Sequence, residues 1–484
     1  MNQIRALFFL ISVLPSFTFA DTAYRLSYFN DSESRVRVVV EPKEPAEPTA
    51  NLVFPRSIPG EYSISIYDAF VSNVIATTVD GVSHKMKKDD DDGPRWSVPE
   101  NKSRIKKIEY RVDLRQMELR MSPGSASVAR NGFAGLLNYS VFGWIEGSEN
   151  EPVKCEVETS SDWPIFSTLA PSENPKNGRL FFETENYYKL ADGQTFLGPR
   201  FRVAKFNGPV PLYVASFSEK GDEILEDYGT QGVRSMKILN EVFGEIPFPH
   251  YSIMLVRAVP LEAGTAPQLA MEHLQSATFF GDTSGARLKR LSEEQVSVSI
   301  STYLHHMAHS YIPLRSYGDN YRPHVREIPP LIRNIWFNEG FMWFVVQDKL
   351  QSPRIARLFQ DSVYNASPAI KELGLFELSQ LGSTTYGVDF RIGRAIFSRG
   401  ALMAAEMDEY LKRETDGKKS MNDVLRFLYR WSAKNKRAFT MEEFPGLLNE
   451  AAGKDLRVIY KKWLTPISGT VAKSSRSVRQ VNPS

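Results

Sequence analysis

Two spacings of apolar residues divide the chain. From Tyr24 to about Phe206 they recur at every second position, as in Arg25-Leu26-Ser27-Tyr28-Phe29 and Ser34-Arg35-Val36-Arg37-Val38-Val39-Val40, separated by the turn-forming Asn30-Asp31. That alternation turns one face of a strand to a core and the other to water. Similar runs at 63–67, 105–114, 154–158 and 179–183, punctuated by Pro and Gly, predict an antiparallel β-sandwich-like domain over residues 21–206. Over 221–243 the spacing becomes helical, with Ile224, Leu225, Tyr228, Val233, Met236, Leu239 and Val242 on one side. Residues 251–256 read as a strand, and a loop with Gly264 and Pro267 leads to Gln268-Leu269-Ala270-Met271-Glu272-His273. After Glu339 the chain is mostly helical, at 355–365, 394–413, 421–433 and 441–452. The fold class is therefore α+β and multidomain: the β domain, a mixed segment over 207–350, a helical domain over 351–470, and a polar, basic, aperiodic tail over 471–484 expected to be disordered.

The densest chemistry lies in one predicted helix. Ser292 followed by Gln295 is a capping-box start, and Val296, Ile300, Tyr303, Leu304, Met307 and Tyr311 form an apolar stripe behind it. His305 and His309 then fall one turn apart on the same face, where two imidazoles can share a metal ion. Paired histidines on a helix are also common as plain polar residues. Downstream, Asn334-Ile335-Trp336-Phe337-Asn338-Glu339-Gly340-Phe341-Met342-Trp343-Phe344 reads as a buried helix with one carboxylate. Burying Glu339 is costly unless it is paired or bound to a metal, although it could also serve as a helix cap. His, His and Glu form one of the standard catalytic zinc sets.

Composition narrows the function classes. A net charge of +2 over 484 residues does not suggest nucleic acid or an anionic surface as partner. Residues 1–20 read as a secretory signal: Arg5, a short apolar core over 6–19, and Thr18-Phe19-Ala20 as the cleavage site. The mature chain is therefore expected to be exported, periplasmic or secreted, without stable membrane insertion. No Cys follows the apolar run, which argues against a lipoprotein anchor, and Cys155 is the only cysteine, so an internal disulfide is excluded. Four consecutive aspartates end the run 85–92, but it lacks the spaced ligands and central Gly of a calcium loop and reads as a solvated hairpin tip.

Four stretches together resemble the glycyl aminopeptidase family of zinc metallopeptidases. They are Pro55-Arg56-Ser57-Ile58-Pro59-Gly60-Glu61-Tyr62, Phe243-Gly244-Glu245-Ile246-Pro247-Phe248, Met271-Glu272-His273, and the set His305, His309, Glu339. Residues 310–338, 29 in number, separate the second His from the Glu, the spacing expected of that family. The resemblance implies a thermolysin-like catalytic domain over 207–350 behind the β domain. It also implies Zn2+ on His305, His309 and Glu339, and a peptide or protein ligand contacted by Glu272 and His273, with Glu272 holding a free amine. It leaves the oligomeric state open.

The likeness breaks where the chemistry is done. His306 stands where the zincin pattern has Glu as general base. An imidazole can accept a proton, but its ring cannot bridge water and the scissile nitrogen as a flexible carboxylate does. Ile396-Phe397-Ser398-Arg399-Gly400 resembles the family segment ending Tyr-x-Lys-Gly, so Phe397 replaces the Tyr that stabilises the oxyanion. Losing one such donor costs about 2.7–4 kcal/mol. Leu269 and Ala270 replace the glycines before the Glu-His pair. Tyr386 or Tyr311 could supply a hydroxyl, and His273 could reach the site. Two expectations follow: a zinc- and peptide-binding relative with impaired hydrolysis, or an active zinc aminopeptidase for N-terminal Gly or Ala with a substitute base.

Overall fold

The computed structural model describes residues 21–467 except 30–33, 123, 222–224, 260–268, 281–292 and 322, and leaves the side chains of 269 and 293–299 undescribed. The expected signal segment, the basic tail, Asn30-Asp31, Ile224, the Gly264/Pro267 loop with Gln268, and Ser292 thus lie outside the described residues, as does the side chain of Val296.

The N-terminal domain is built on a seven-stranded sheet ordered 179–184, 153–158, 22–27, 35–41, 105–113, 71–78, 83–85. The alternation read in the sequence is visible in its strands. In Ile105–Asp113, Ile105, Ile108, Tyr110 and Val112 are buried, while Arg37 and Glu109 pair on the outer face. One pair, Thr22–Ser27 against Val153–Glu158, is parallel, because a long excursion separates the two strands. Two smaller sheets of five and four strands complete this domain, and one apolar core runs beneath all three. The aspartate run caps the turn between Lys87–Lys88 and Arg95–Ser97, with Lys87 and Lys88 paired to Asp90 and Asp92.

Residues 63–67 do not form the strand their alternation suggests. Ile64 and Ile66 are exposed, while Tyr62, Ser65 and Tyr67 are buried. The segment from Pro55 is an irregular arm, turned at Gly60 (φ 89°) and Tyr62 (φ 48°). Its backbone bonds to residue 326: Arg56 and Ser57 N–H both donate to the Arg326 carbonyl, and Arg326 N–H returns to Ser57.

A fourth sheet begins at β1 (Phe201–Asn207), which pairs with β2 (Pro211–Ser218). The chain then enters α1 (Glu226–Phe243), closed by Gly244 in the left-handed conformation, as a helix ending in Gly predicts. It returns as β3 (Tyr251–Arg257), β4 (Leu269–Glu272) and β5 (Ser276–Phe280), giving the order β1-β2-β3-β5-β4. Against this sheet lie α1 and α2 (Glu293–Ala308). Next come the π-helical turn Trp336–Gly340, α3 (Phe341–Leu350), and further helices that include α4 (Phe390–Glu414). The fourth sheet's helices and the C-terminal helices share one continuous apolar core rather than two. No helix among the described residues is long and apolar enough to cross a membrane.

Candidate metal centre

Three side chains from two helices converge at one buried point. α2 ends at Ala308, yet His309 N–H still reaches the His305 carbonyl at 3.3 Å, so the two rings stay one turn apart. Their Nε2 atoms are 3.0 Å apart. Glu339 Oε2 lies 3.2 Å from His305 Nε2 and 3.3 Å from His309 Nε2. All three residues are at least 95% buried. Donors about 2.0–2.2 Å from a tetrahedral ion lie about 3.3–3.6 Å from one another, a few tenths of an ångström wider than this triangle.

The chemistry of the donors fits a cation as well as their geometry does. His309 Nδ1 lies 3.0 Å from the Ile312 carbonyl, so that nitrogen donates, and in the neutral ring Nε2 offers its lone pair to the triangle. Two ring lone pairs and a carboxylate in one dry place repel unless a proton or a metal ion sits among them. Burial pulls the His309 pKa down, but the carboxylates of Glu339 and Glu272 outweigh it and raise it to about 9. Burial and the charge on His309 push His305 down to about 3. Burial opposes ionisation of Glu339, yet the His309 charge and the bonds from both rings hold its carboxyl well below the usual range. Zn2+ is a fitting occupant, and these three residues would hold it.

Glu339 is delivered by the π-helical turn rather than by a regular helix. Such turns widen a helix locally and are frequent at functional sites. The turn is pinned by backbone contact with α4: a Cβ on Gly400 would lie 2.2 Å from the Trp336 carbonyl oxygen, and one on Gly340 would lie 2.5 Å from Gly400 Cα. The two glycines let the helices touch main chain to main chain. Trp343 of α3 stacks on His305, with centroids 4.3 Å apart and planes at 23°.

Around the triangle the other expected residues take distinct places. His306 faces Glu272, with Nδ1 3.2 Å from Oε2. Glu272, His306 and His309 form a second cluster of possible ligand atoms. Burial raises the Glu272 pKa, but His309 and His306 bring it below its ordinary value. The other carboxylate oxygen of Glu272 faces the arm, where a Cβ on Gly60 would sit 2.1 Å away. His273 does not join either cluster. Its Nδ1 lies 3.3 Å from Asp192 and its ring stacks with Tyr139, in contact with the N-terminal domain. Phe397 lies in an aromatic group with Tyr386 and Phe390. Tyr386 in turn meets Tyr62 at 5.6 Å. The Tyr311 hydroxyl donates to the Glu245 carbonyl and is committed there. Arg399, two residues after Phe397, is buried and donates to the carbonyls of Leu373, Trp463 and Thr465.

Sequence reasoning missed Tyr62 as part of the site. Its hydroxyl donates to Glu339 Oε1 at 3.0 Å. The only signal was its place at the end of the Pro55 motif.

Comparison with known proteins adds to this geometry. Residues 23–198 match the Peptidase M61 N-terminal domain. The M61 match spans the β domain and ends before the segment that carries the histidines and Glu339. None of the curated proteins matches the sequence. Among solved structures, an aminopeptidase N family protein from Idiomarina loihiensis superposes with a TM-score of 0.74 at 16% identity, covering 93% of this chain and 76% of that one. The two chains share a fold, and the β domain is similar to that of M61 peptidases.

Proposed function

We propose that this protein is an exported relative of the M61 and glycyl aminopeptidases that binds Zn2+ and a peptide or protein ligand in its cleft and hydrolyses peptides poorly or not at all. One observation carries the reading. The two groups that would handle water and the substrate amine, at positions 306 and 272, are bonded to each other. Bound zinc would supply Lewis acidity, polarising a carbonyl and acidifying water. The chain's own residues supply less. His306 directs one ring nitrogen at Glu272, which restricts the ring's approach to a substrate. Glu272, one oxygen occupied by His306 and the other walled by Gly60, would have to exchange partners to hold an ammonium group. Phe397 offers no hydroxyl to an oxyanion. Ground-state binding survives such losses better than turnover does.

A second reading, an active aminopeptidase for N-terminal Gly or Ala, draws support from Tyr386, which lies against both Phe397 and Tyr62. The experiment that separates them measures zinc content and hydrolysis of Gly- and Ala-amide substrates by the wild type and His306→Glu. Bound zinc without wild-type turnover supports the first reading. Wild-type turnover abolished by His305→Ala supports the second. Export rests on the reading of residues 1–20, and Asp21 as the N-terminus of the mature protein is its test.

A further inference from the structure

We infer that Tyr62, from the N-terminal domain, is a positioning residue of the metal centre: it holds one carboxylate oxygen of Glu339 so that only the other is presented to the metal. The inference rests on the metal-site reading of His305, His309 and Glu339. Tyr62 is 4% exposed, and its hydroxyl lies 3.0 Å from Glu339 Oε1, while Oε2 is the oxygen that faces both imidazoles. A third group fixes the direction of that bond. Asn338 Nδ2 lies 3.4 Å from the Tyr62 oxygen, and an amide nitrogen can only donate. The hydroxyl thus receives from Asn338 and sends its own proton to Glu339. Oε1 is spent on this bond, which favours monodentate ligation through Oε2 and leaves a coordination position for a ligand.

The arm that carries Tyr62 is held for this purpose at both ends. Its start is bonded to the backbone of Arg326, and its turn at Gly60 packs on Glu272. Tyr62 itself belongs to the core shared by the fourth sheet and the C-terminal helices, although the chain around it belongs to the β domain. The metal centre is accordingly completed by a domain that holds none of its three ligands.

The test uses the full mature chain, with Zn2+ affinity measured by chelator competition and the visible spectrum of the Co2+-loaded protein as second readout. For Tyr62→Phe, affinity should fall about 10- to 100-fold. The cobalt spectrum should also move from a four-coordinate to a five-coordinate form as Glu339 becomes bidentate, and the metal-free protein should melt at the wild-type temperature. Wild-type affinity and spectrum in Tyr62→Phe would overturn the inference. Should Tyr62→Phe fail to fold, Asn338→Ala decides: a smaller loss of affinity with the same spectral direction sustains it, and unchanged binding overturns it. A wild type that binds neither metal refutes the metal-site reading itself, and this inference with it.

Discussion

His306 Nδ1 lies 3.2 Å from Glu272 Oε2, so a half-buried imidazole of α2 and the buried carboxylate of β4 form one pair. Replacing the ring undoes both halves of that arrangement. The variant His306→Glu is expected to raise hydrolysis of Gly- and Ala-amides by about 10²-fold or more, the usual contribution of a placed general base. Steady-state rates with matched zinc content check this, and no gain would place the block elsewhere.

Phe397 and Tyr386 make a separable prediction. In the His306→Glu background, Tyr386→Phe should lower kcat about 10²- to 10³-fold if Tyr386 supplies the oxyanion donor. If it does not, Phe397→Tyr should be the change that raises kcat. Comparing the two double variants assigns the hydroxyl.

Metal affinity should depend on pH through His309. In the metal-free protein its pKa is raised to about 9 by Glu339 and Glu272 against the effect of burial. Below that pH a proton occupies the position a metal needs, so apparent Zn2+ affinity should fall about tenfold for each unit of pH decrease. Above it, affinity should level off. Chelator competition between pH 6 and 10 measures the slope, and a flat profile would mean that His309 is neutral before metal binds.

The crossing of the π-helical turn over α4 leaves no room for a side chain at position 400. A Cβ 2.2 Å from the Trp336 carbonyl forces backbone apart. Gly400→Ala should therefore destabilise the fold by about 1–3 kcal/mol, read in denaturant unfolding, and weaken Zn2+ binding by moving Glu339. Substitution at the exposed Gly446, where an added Cβ meets nothing within 4 Å, is the control.

Much of this architecture is legible from periodicity. His305 and His309 announce themselves because a helix fixes which residues share a face, and Glu339 stands out because a carboxylate in an aromatic run needs a partner. Ile108, Tyr110 and Val112 of Ile105–Asp113 alternate plainly because that stretch covers a core on one side, whereas in Arg35–Glu41 Val39 is buried along with Val38 and Val40. Contacts between residues remote in sequence are not legible in this way. Tyr62 meets Glu339 across 277 positions, and no local spacing encodes that. The alternation of Ile64 and Ile66 misleads for the same reason: the arm's backbone bonds go to Arg326 and back on itself rather than to a ladder. Nor does sequence period distinguish the π-helical turn from a regular helix, since the widening at Glu339 accompanies the approach of Gly400 from a helix elsewhere in the chain.

The binding and catalytic expectations depend on a single cation held by His305, His309 and Glu339. The most direct test is the zinc content of the purified mature protein after dialysis against buffered Zn2+, compared with that of His305→Ala. One equivalent in the wild type and none in the variant is the predicted result. An empty wild type, or zinc that persists unchanged without His305, would contradict it.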